Sequence, residues 1–465
     1  MGGPEEDQEI CYQGELPSLT AGLSSLEGLI VAGKNIPALC GALLLVVTLS
    51  GCATYSDWVG RMEADISQGK PDKALKVLEK HASSKDEVLY QLNRAMLQRM
   101  AGDYEASNVS FEAAKAMISS LSAISVSEQG GALTVNDMMR SYTGDYYEQV
   151  LIHVFESLNY LALNQPDQAR VEALQLDEKL KQHGDNSKYE DGFARYLTGI
   201  IYEDLGEWDD AMIAYRQAYD AYRRYPQQLE MPVPQQLKSD LIRLADKVGL
   251  DDEARRYREK FDIKSAPQIP AGDGELIFLL NTGLAPLKRS IEVRAVTESG
   301  QLVTVSMPAY EDRRPTVTAA RVSVDGDSAT TDLVENVDSL AMDALAKQKP
   351  LILARAIGRA VIKTKASKEA DSRNDALGLM VNLANAITDR ADTRSWSTLP
   401  NLICLARLPL ASGRHQVQVE LLDRLENVVA KKEYDVEIGA RDKHFISLNW
   451  IMADDLVPVN PLRRR

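Results

Sequence analysis

The pattern of apolar and polar positions changes at residues 265–273, a short segment rich in Pro and Gly. Before this segment, the pattern predicts pairs of helices that are joined by tight turns. After it, short β-rich runs end at turn sequences such as Asn-Thr-Gly and Asp-Gly. We therefore predict a helical domain over residues 52–264, a linker over residues 265–273 and a strand-rich domain over residues 274–465.

A turn signature recurs through the helical half of the chain. It places Gly or Asn at the turn and, in most copies, Ala five residues later. The copies stand at Gly69, Gly102, Asn164 and Gly206, with a weaker one at Gly249. The spacing between copies is uneven, and the polar, Gly-containing residues 119–143 are predicted to form a loop between two of them.

The copy at residues 193–222 carries the fullest pattern. Small, aromatic, turn, small, aromatic and small residues stand in that order at Gly199, Tyr202, Gly206, Ala211, Tyr215 and Ala218. Small residues let neighbouring helices approach closely, and the aromatic side chains fill the gaps between them. This pattern resembles the tetratricopeptide repeat (TPR), whose unit is about 34 residues long. The resemblance implies an all-α TPR-like solenoid that binds other proteins.

The strand-rich half contains eight short β-rich runs, four before residue 325 and four after residue 401. This number of short strands is typical of a β-sandwich-like domain. Between the two groups, residues 334–390 are predicted to form a helical hairpin insert. Its first long helix should begin after Pro350, because proline is not expected in a helix interior.

Three basic residues recur every fourth position after Pro350, namely Arg355, Arg359 and Lys363. This spacing places them on one face of the predicted helix. The face is either a site for an acidic partner or phosphate, or simply a solvated surface.

An uncharged, mostly apolar run at residues 36–49 follows Lys34 and ends at Leu49-Ser50-Gly51-Cys52. The run has about 14 residues against the roughly 20 of a spanning helix, which favours a cleaved secretory signal. The tetrapeptide resembles the lipobox of bacterial lipoproteins, which implies that Cys52 is lipidated and becomes the mature N-terminus. We predict residues 31–51 as this signal peptide. A signal peptide begins with positive charge, whereas residues 1–30 carry acidic residues and no basic residue. We therefore predict that translation starts after these residues.

The chain has a formal net charge of −15 at pH 7, and the acidic excess of the mature part lies before residue 265. A uniformly basic footprint for nucleic acid is therefore absent. After processing at Cys52, Cys404 is the one cysteine left with a free thiol. Its apolar neighbours predict a buried side chain and not a nucleophile.

Candidate chemistry is sparse. The five histidines form no pair at metal-ligand spacing, and the sequence has neither a Gly-x-Ser-x-Gly elbow nor a Walker loop. We therefore predict no metal, no cofactor and no enzymatic activity. One unusual segment remains, in which Asp392 and Arg394 flank Trp396. It is either a ligand site or a buried structural corner, and a catalytic combination of Asp392 with Ser395 and His415 would require folding to bring them together.

Residues 281–288 and 391–400 resemble segments of a proteobacterial family of TPR outer-membrane lipoproteins. This resemblance implies an envelope role beside activators of peptidoglycan synthases. Ala53 follows Cys52, which under the sorting rule of enteric bacteria implies an anchor on the periplasmic face of the outer membrane. We predict a lipid-anchored scaffold for an envelope protein partner. Two alternatives stay open: an adaptor for export of a surface polysaccharide or protein, and a hydrolase-like enzyme that uses the corner at residues 392–400.

Overall fold

The computed structural model describes residues 55–81, 86–127, 141–182, 190–296, 300, 302–371 and 391–458. The predicted signal peptide, the lipobox and Cys52 lie outside these residues, and so does the second helix of the predicted insert. From Tyr55 onward the chain forms one compact unit. Among the described residues, no helix combines the length and the apolar character that crossing a bilayer requires.

The first half of the described chain consists of consecutive helix pairs. The helices are α1 (Tyr55–Ser67), α2 (Pro71–Glu79), α3 (Glu87–Met100), α4 (Tyr104–Ser127), α5 (Tyr146–Ala162), α6 (Pro166–Gln182), α7 (Gly192–Asp204), α8 (Trp208–Arg224), α9 (Gln235–Lys247) and α10 (Asp251–Phe261). The turn within each pair contains Gly69, Gly102, Asn164, Gly206 or Gly249 at a φ between +55° and +84°. Gly and Asn adopt this left-handed conformation most readily, which explains why the signature requires them.

The pair α7 and α8 shows why small residues recur in the repeat. A Cβ atom at position 199 would lie 2.3 Å from the ring of Tyr215 on the facing helix. That ring cannot move away easily, because Tyr215 is fully buried and donates a 2.6 Å hydrogen bond to Glu203. Ala211 and Ala218 of the same pair are also fully buried. Gly199 therefore permits the close contact of the two helices.

In the described residues after position 273, the structure has ten strands and one long helix. The strands are β1 (Gly274–Thr282), β2 (Lys288–Val296), β3 (Leu302–Tyr310), β4 (Ala319–Val324), β5 (Asp327–Thr330), β6 (Asp332–Asn336), β7 (Leu402–Leu410), β8 (Gly413–Leu422), β9 (Val428–Ile438) and β10 (Lys443–Trp450). The eight predicted runs correspond to strands. Strands β5 and β6 escaped prediction because both are short and rich in polar residues. The insert was predicted to start at residue 334, which was wrong because residues 334–336 belong to β6.

Two four-stranded sheets enclose an apolar core. One has the order β10-β1-β7-β6, in which β1 is parallel to β10 and antiparallel to β7, and the other has the order β5-β4-β8-β9. Phe278 of β1, Val322 of β4, Cys404 of β7 and Val419 of β8 meet in this core. Cys404 is fully buried, as its apolar neighbours predict.

The long helix α11 (Val337–Asp371) contains Pro350 in its interior. The prediction that a helix begins only after this proline was wrong. An internal proline removes one backbone hydrogen bond and costs about 3 kcal/mol, so tertiary packing must compensate. Here Leu353 and Ala356 of α11 pack against Val305 of β3.

Strands β2 and β3 form a separate two-stranded hairpin that shares a small core of its own with α11. We refer to β2, β3 and α11 as the arm. Arg359 of α11 is only 9% exposed, so the predicted basic face is not simply a solvated surface. The side chain of Lys363 lies outside the described part of the chain.

The largest core of the protein contains side chains from both halves. Tyr196 of α7 and Leu241 of α9 belong to it, and so do Ile277 of β1, Leu405 of β7 and Trp396. Burial of apolar surface is the main favourable term in folding, and here it is shared between helices and strands. The helices thus pack onto the strand part.

The close contact at Gly199 predicts a specific loss of stability. Gly199→Ala should lower the free energy of unfolding by about 3 kcal/mol, because the new methyl group overlaps a ring that cannot move. Gly60→Ala on α1 is the matched control, since nothing lies within 4 Å of its Cβ position. That change should be neutral or stabilising by up to about 1 kcal/mol. Urea denaturation measures both, and equal effects would contradict the packing described.

Candidate functional site

The first helix of each pair faces the strand part of the chain. Each of these five helices makes a polar contact with it: Glu63 of α1 with Arg313, Arg99 of α3 with Ser447, Glu148 of α5 with Trp396, Glu203 of α7 with Arg407, and Asp240 of α9 with Arg407. Open arrays of helical repeats use such an extended surface to bind partners. In this protein, the strands of the same chain occupy the first-helix face.

Arg407 of β7 lies at the centre of the contact. Its guanidinium is 2.6 Å from Glu275 Oε2 of β1, 2.9 Å from Asp240 Oδ2 of α9 and 3.2 Å from Glu203 Oε1 of α7. Arg243 lies 2.8 Å from Glu203, and Lys443 of β10 lies 3.1 Å from the same carboxylate.

These six residues, which we call the ion network, contain three cations and three carboxylates. All six side chains are more than nine-tenths buried. Burial by itself would raise the pKa of Glu203 and Glu275. The neighbouring cations outweigh it, so the pKa of Glu203 falls well below its usual value and that of Glu275 falls to about 2. Both carboxyl groups are therefore ionised at neutral pH, and the network pairs three acidic with three basic side chains.

The corner around Trp396 is a second contact between the two halves. The Trp396 backbone N–H donates a 2.8 Å hydrogen bond to Glu148 Oε1 of α5, and the indole is 1% exposed. Its ring packs edge-on against Phe111 and Phe155. This geometry corresponds to a buried structural corner.

Asp392 and Arg394 extend the same corner. Arg394 is 4% exposed and donates hydrogen bonds of 2.9 and 2.7 Å to the Asp392 carboxylate and of 2.8 Å to Asp86, which precedes α3. Both ring nitrogens of His415 are engaged elsewhere, with Asp325 Oδ2 at 2.6 Å and the Ala411 carbonyl at 2.7 Å. The structure therefore does not assemble the catalytic combination of Asp392 with Ser395 and His415.

A pair of buried carboxyl groups lies where α7 meets β6. Asp191 caps α7 by accepting a 2.7 Å hydrogen bond from the Ala194 N–H, and it also faces Glu335. Glu335 is fully buried, and none of the described residues donates a hydrogen bond from an N–H or hydroxyl group to its Oε2 atom. Burial raises the pKa of both groups, and the charge of Asp191 raises that of Glu335 further. The two carboxyl groups therefore retain a proton well above the usual pH.

In the described part of the chain, one cluster of potential metal ligands lies on α4, α5 and α6. Glu112, Glu156 and Glu172 each offer a carboxylate oxygen, and these oxygens lie within 4.8 Å of one another. Lys115 Nζ contacts all three carboxylates, and His153 Nδ1 lies 2.8 Å from Glu172. We call these five residues the carboxylate cluster.

Sequence reasoning missed both the ion network and the carboxylate cluster. A signal for the network exists, because Arg407 and Glu275 are single charges within otherwise apolar strand runs. A charge in such a run predicts a buried ion pair. No comparable signal marks the carboxylate cluster, since its residues come from three helices and share no motif.

Comparisons with known proteins give little guidance. A scan of protein-family models found no matching family, and a search of curated proteins found no match. Among solved structures, MamA AMB-1 is similar at a TM-score of 0.28 and 13% identity, over 44% of this chain and 88% of that chain. MamA 41-end from Desulfovibrio magneticus RS-1 is similar at a TM-score of 0.28 and 13% identity, over 44% and 89%. A further MamA crystal structure has a TM-score of 0.27 and 16% identity, over 43% and 91%. A likeness at these TM-scores carries no argument about fold or function.

The ion network predicts a large effect for one arginine. Arg407→Ala should lower the free energy of unfolding by about 3 to 5 kcal/mol, because it leaves buried carboxylates without their central cation. Arg414→Ala is the matched control on β8, the next strand along the chain, since Arg414 and its partner Glu437 are 87% and 74% exposed. Urea denaturation should detect no change for this control. A small loss for Arg407→Ala would show that the network is dispensable.

The carboxyl pair predicts a pH dependence of stability. Because the pKa of Glu335 is raised above its ordinary value of 4.5, the folded state binds more protons than the unfolded state. Its contribution is fully present below pH 4.5 and is lost as the pH rises through the raised pKa. Glu335→Gln cannot ionise, so it should lose less stability than the natural protein between about pH 5 and about pH 9. Denaturant titrations across this range measure the effect. Glu437→Gln, a change of an exposed carboxylate, should leave the dependence of stability on pH as it is in the natural protein. The same result for Glu335→Gln would contradict the proton that Asp191 and Glu335 are expected to retain.

Proposed function

We propose that the mature chain is a lipid-anchored protein interaction scaffold on the periplasmic face of the outer membrane. The lipobox sequence supports the anchor, because Leu49-Ser50-Gly51 precedes a cysteine after a short apolar run. The resemblance to envelope lipoproteins supports a place beside the peptidoglycan synthesis machinery. The corner at residues 392–400 does not support the enzyme alternative. Arg394 pairs with Asp86 and Asp392, and Trp396 packs against aromatic side chains of the helices.

Partners of this scaffold use surfaces other than the first-helix face. That face is covered by the strand part of the same chain, where Arg407 and Lys443 pair with Glu203 and Arg407 also pairs with Asp240. The remaining surfaces are the outward sides of the second helices, the outer sheet and the arm. On the arm, two exposed apolar side chains lie side by side.

The observation that carries the proposal is an exposed apolar pair on the arm. Val296 of β2 and Leu302 of β3 are direct cross-strand neighbours, and they are 65% and 66% exposed. Single exposed apolar side chains are ordinary on protein surfaces, whereas contiguous exposed apolar side chains mark interaction sites. Since the arm has its own small core, it presents this pair on a rigid support. The proposed partner is an envelope protein with an apolar surface of its own.

The adaptor for export of a surface polysaccharide or protein remains the second candidate. It uses the same anchor and the same arm, and it differs from the first in the identity of the partner. An experiment that identifies the partner therefore distinguishes the two.

The proposal predicts a position-specific crosslink in intact cells. A photoreactive amino acid at Leu302 should crosslink a defined envelope protein, because this side chain lies in the proposed contact. Leu425 is the matched control, since it is an equally apolar side chain, 81% exposed, in the turn between β8 and β9. Mass spectrometry identifies the product, and the mature protein is analysed in parallel for acyl chains on Cys52.

The outcomes of this experiment separate the candidates. Peptidoglycan synthases or their activators at Leu302, lost with Cys52→Ser, would support the cell-wall scaffold. Components of an export system would favour the second candidate. Equal products at Leu302 and Leu425, or none at Leu302, would contradict docking through the arm. An unmodified Cys52 would contradict the anchor.

A further inference from the structure

The carboxylate cluster lies on the surface shared by α4, α5 and α6, and the proposed scaffold function makes no use of it. Lys115 Nζ of α4 is 3.0 Å from Glu112 Oε1, 2.8 Å from Glu156 Oε2 and 2.9 Å from Glu172 Oε2. Three helices thus place carboxylate oxygens around one point that a cation occupies. In the natural chain, that cation is an ammonium group.

The charges of the cluster do not balance. Three carboxyl groups surround one ammonium group. Burial and the charge of Glu172 raise the pKa of Glu156 to about 8, so Glu156 keeps its proton at neutral pH and the two other carboxylates face a single cation. The ion network described above differs, because its three carboxylates meet three cations. Buried charges are normally neutralised by partners or by metal ions. The carboxylate cluster therefore has capacity for a cation of higher charge.

Glu156 gives a second observation on the cluster. Its side chain is fully buried, and no group in the described part of the chain donates a hydrogen bond to its Oε1 atom. The contact between Oε2 and Lys115 is the single polar contact of this carboxylate among the described residues. A buried carboxylate oxygen without a donor costs free energy unless another group binds it. This oxygen belongs to the side chain that α5 contributes to the cluster.

We propose that the carboxylate cluster binds a divalent metal ion of the oxygen-preferring class, such as Mn²⁺, in place of the Lys115 ammonium group. The ligand oxygens lie within 4.8 Å of one another. Opposite ligands of an octahedral ion at about 2.1 Å are about 4.2 Å apart, so a small contraction is sufficient. Glu112, Glu156 and Glu172 are the ligands, and water completes the coordination.

The neighbouring residues fit this role. His153 Nδ1 contacts Glu172 Oε2 at 2.8 Å, so it orients this carboxylate as a positioning residue. Glu112 is 56% exposed and Lys115 is 14% exposed, so the cluster opens to solvent on the α4 side. The flexible Lys115 side chain can therefore move into water when the ion enters. Carboxylates from several helices form metal sites in helical bundles by the same principle.

The test is a Mn²⁺ titration of the mature chain that carries Cys52→Ser, followed by electron paramagnetic resonance of the free ion. The natural cluster should show one saturable site above the weak binding of other acidic groups. Glu156→Gln should remove this site. Lys115→Met should tighten binding by about tenfold or more, because it removes the competing cation. Glu105→Gln, a change of an exposed carboxylate on the same helix α4, is the matched control and should leave binding unchanged.

Folding can be checked separately from binding. Glu156→Gln replaces a buried carboxyl group by a neutral group of the same shape, so thermal unfolding without metal should be unchanged or shifted to higher temperature. Saturating Mn²⁺ should raise the unfolding temperature of the parent chain and of Glu105→Gln, but not that of Glu156→Gln. The proposal is overturned if the parent chain shows no saturable site or if Glu156→Gln binds equally well. It is also overturned if only Lys115→Met binds, because Lys115 would then be the permanent cation.

Discussion

The burial of Arg407 is the constraint on which the arrangement of the two halves depends. This guanidinium lies on a central strand, yet two of its three carboxylate partners belong to helices α7 and α9. The desolvation of this guanidinium is compensated only while the carboxylates of those helices stay in place. Buried ion networks contribute to specificity more than to net stability, because their desolvation offsets much of the attraction. The network therefore fixes which faces of helices and sheet meet, while the shared apolar core supplies the driving force.

This arrangement changes what the helical repeats can do. A repeat array with an uncovered first-helix face binds other chains, whereas in this array all five first helices contact strands or loops of the strand part of the same chain. The helices thus act as a rigid support for the sheets and the arm. For the proposed scaffold, contact with a partner is therefore assigned to the exposed pair Val296 and Leu302 and not to the interior tyrosines of the repeats.

Local patterns predicted much of the secondary structure, because turns and strands depend on nearby residues. Gly69 and Gly206 lie at turns, and the eight apolar runs became strands. The continuation of α11 through Pro350 escaped prediction because packing of the arm overrides a local preference. The candidate site was the least predictable part. Trp396 meets Glu148 across 248 residues of chain, so sequence reasoning left two interpretations of its corner open.

The ion network and the shared apolar core are expected to make the helices and the sheets unfold as one cooperative unit. Native-state hydrogen exchange of the mature chain, followed by mass spectrometry at increasing urea, measures this cooperativity. Amides of α7, α9, β1 and β7 should open together, with one free energy and one urea dependence, because separating them exposes the charges of the ion network. Exchange of α7 and α9 at lower urea, while β1 and β7 stay protected, would contradict this expectation.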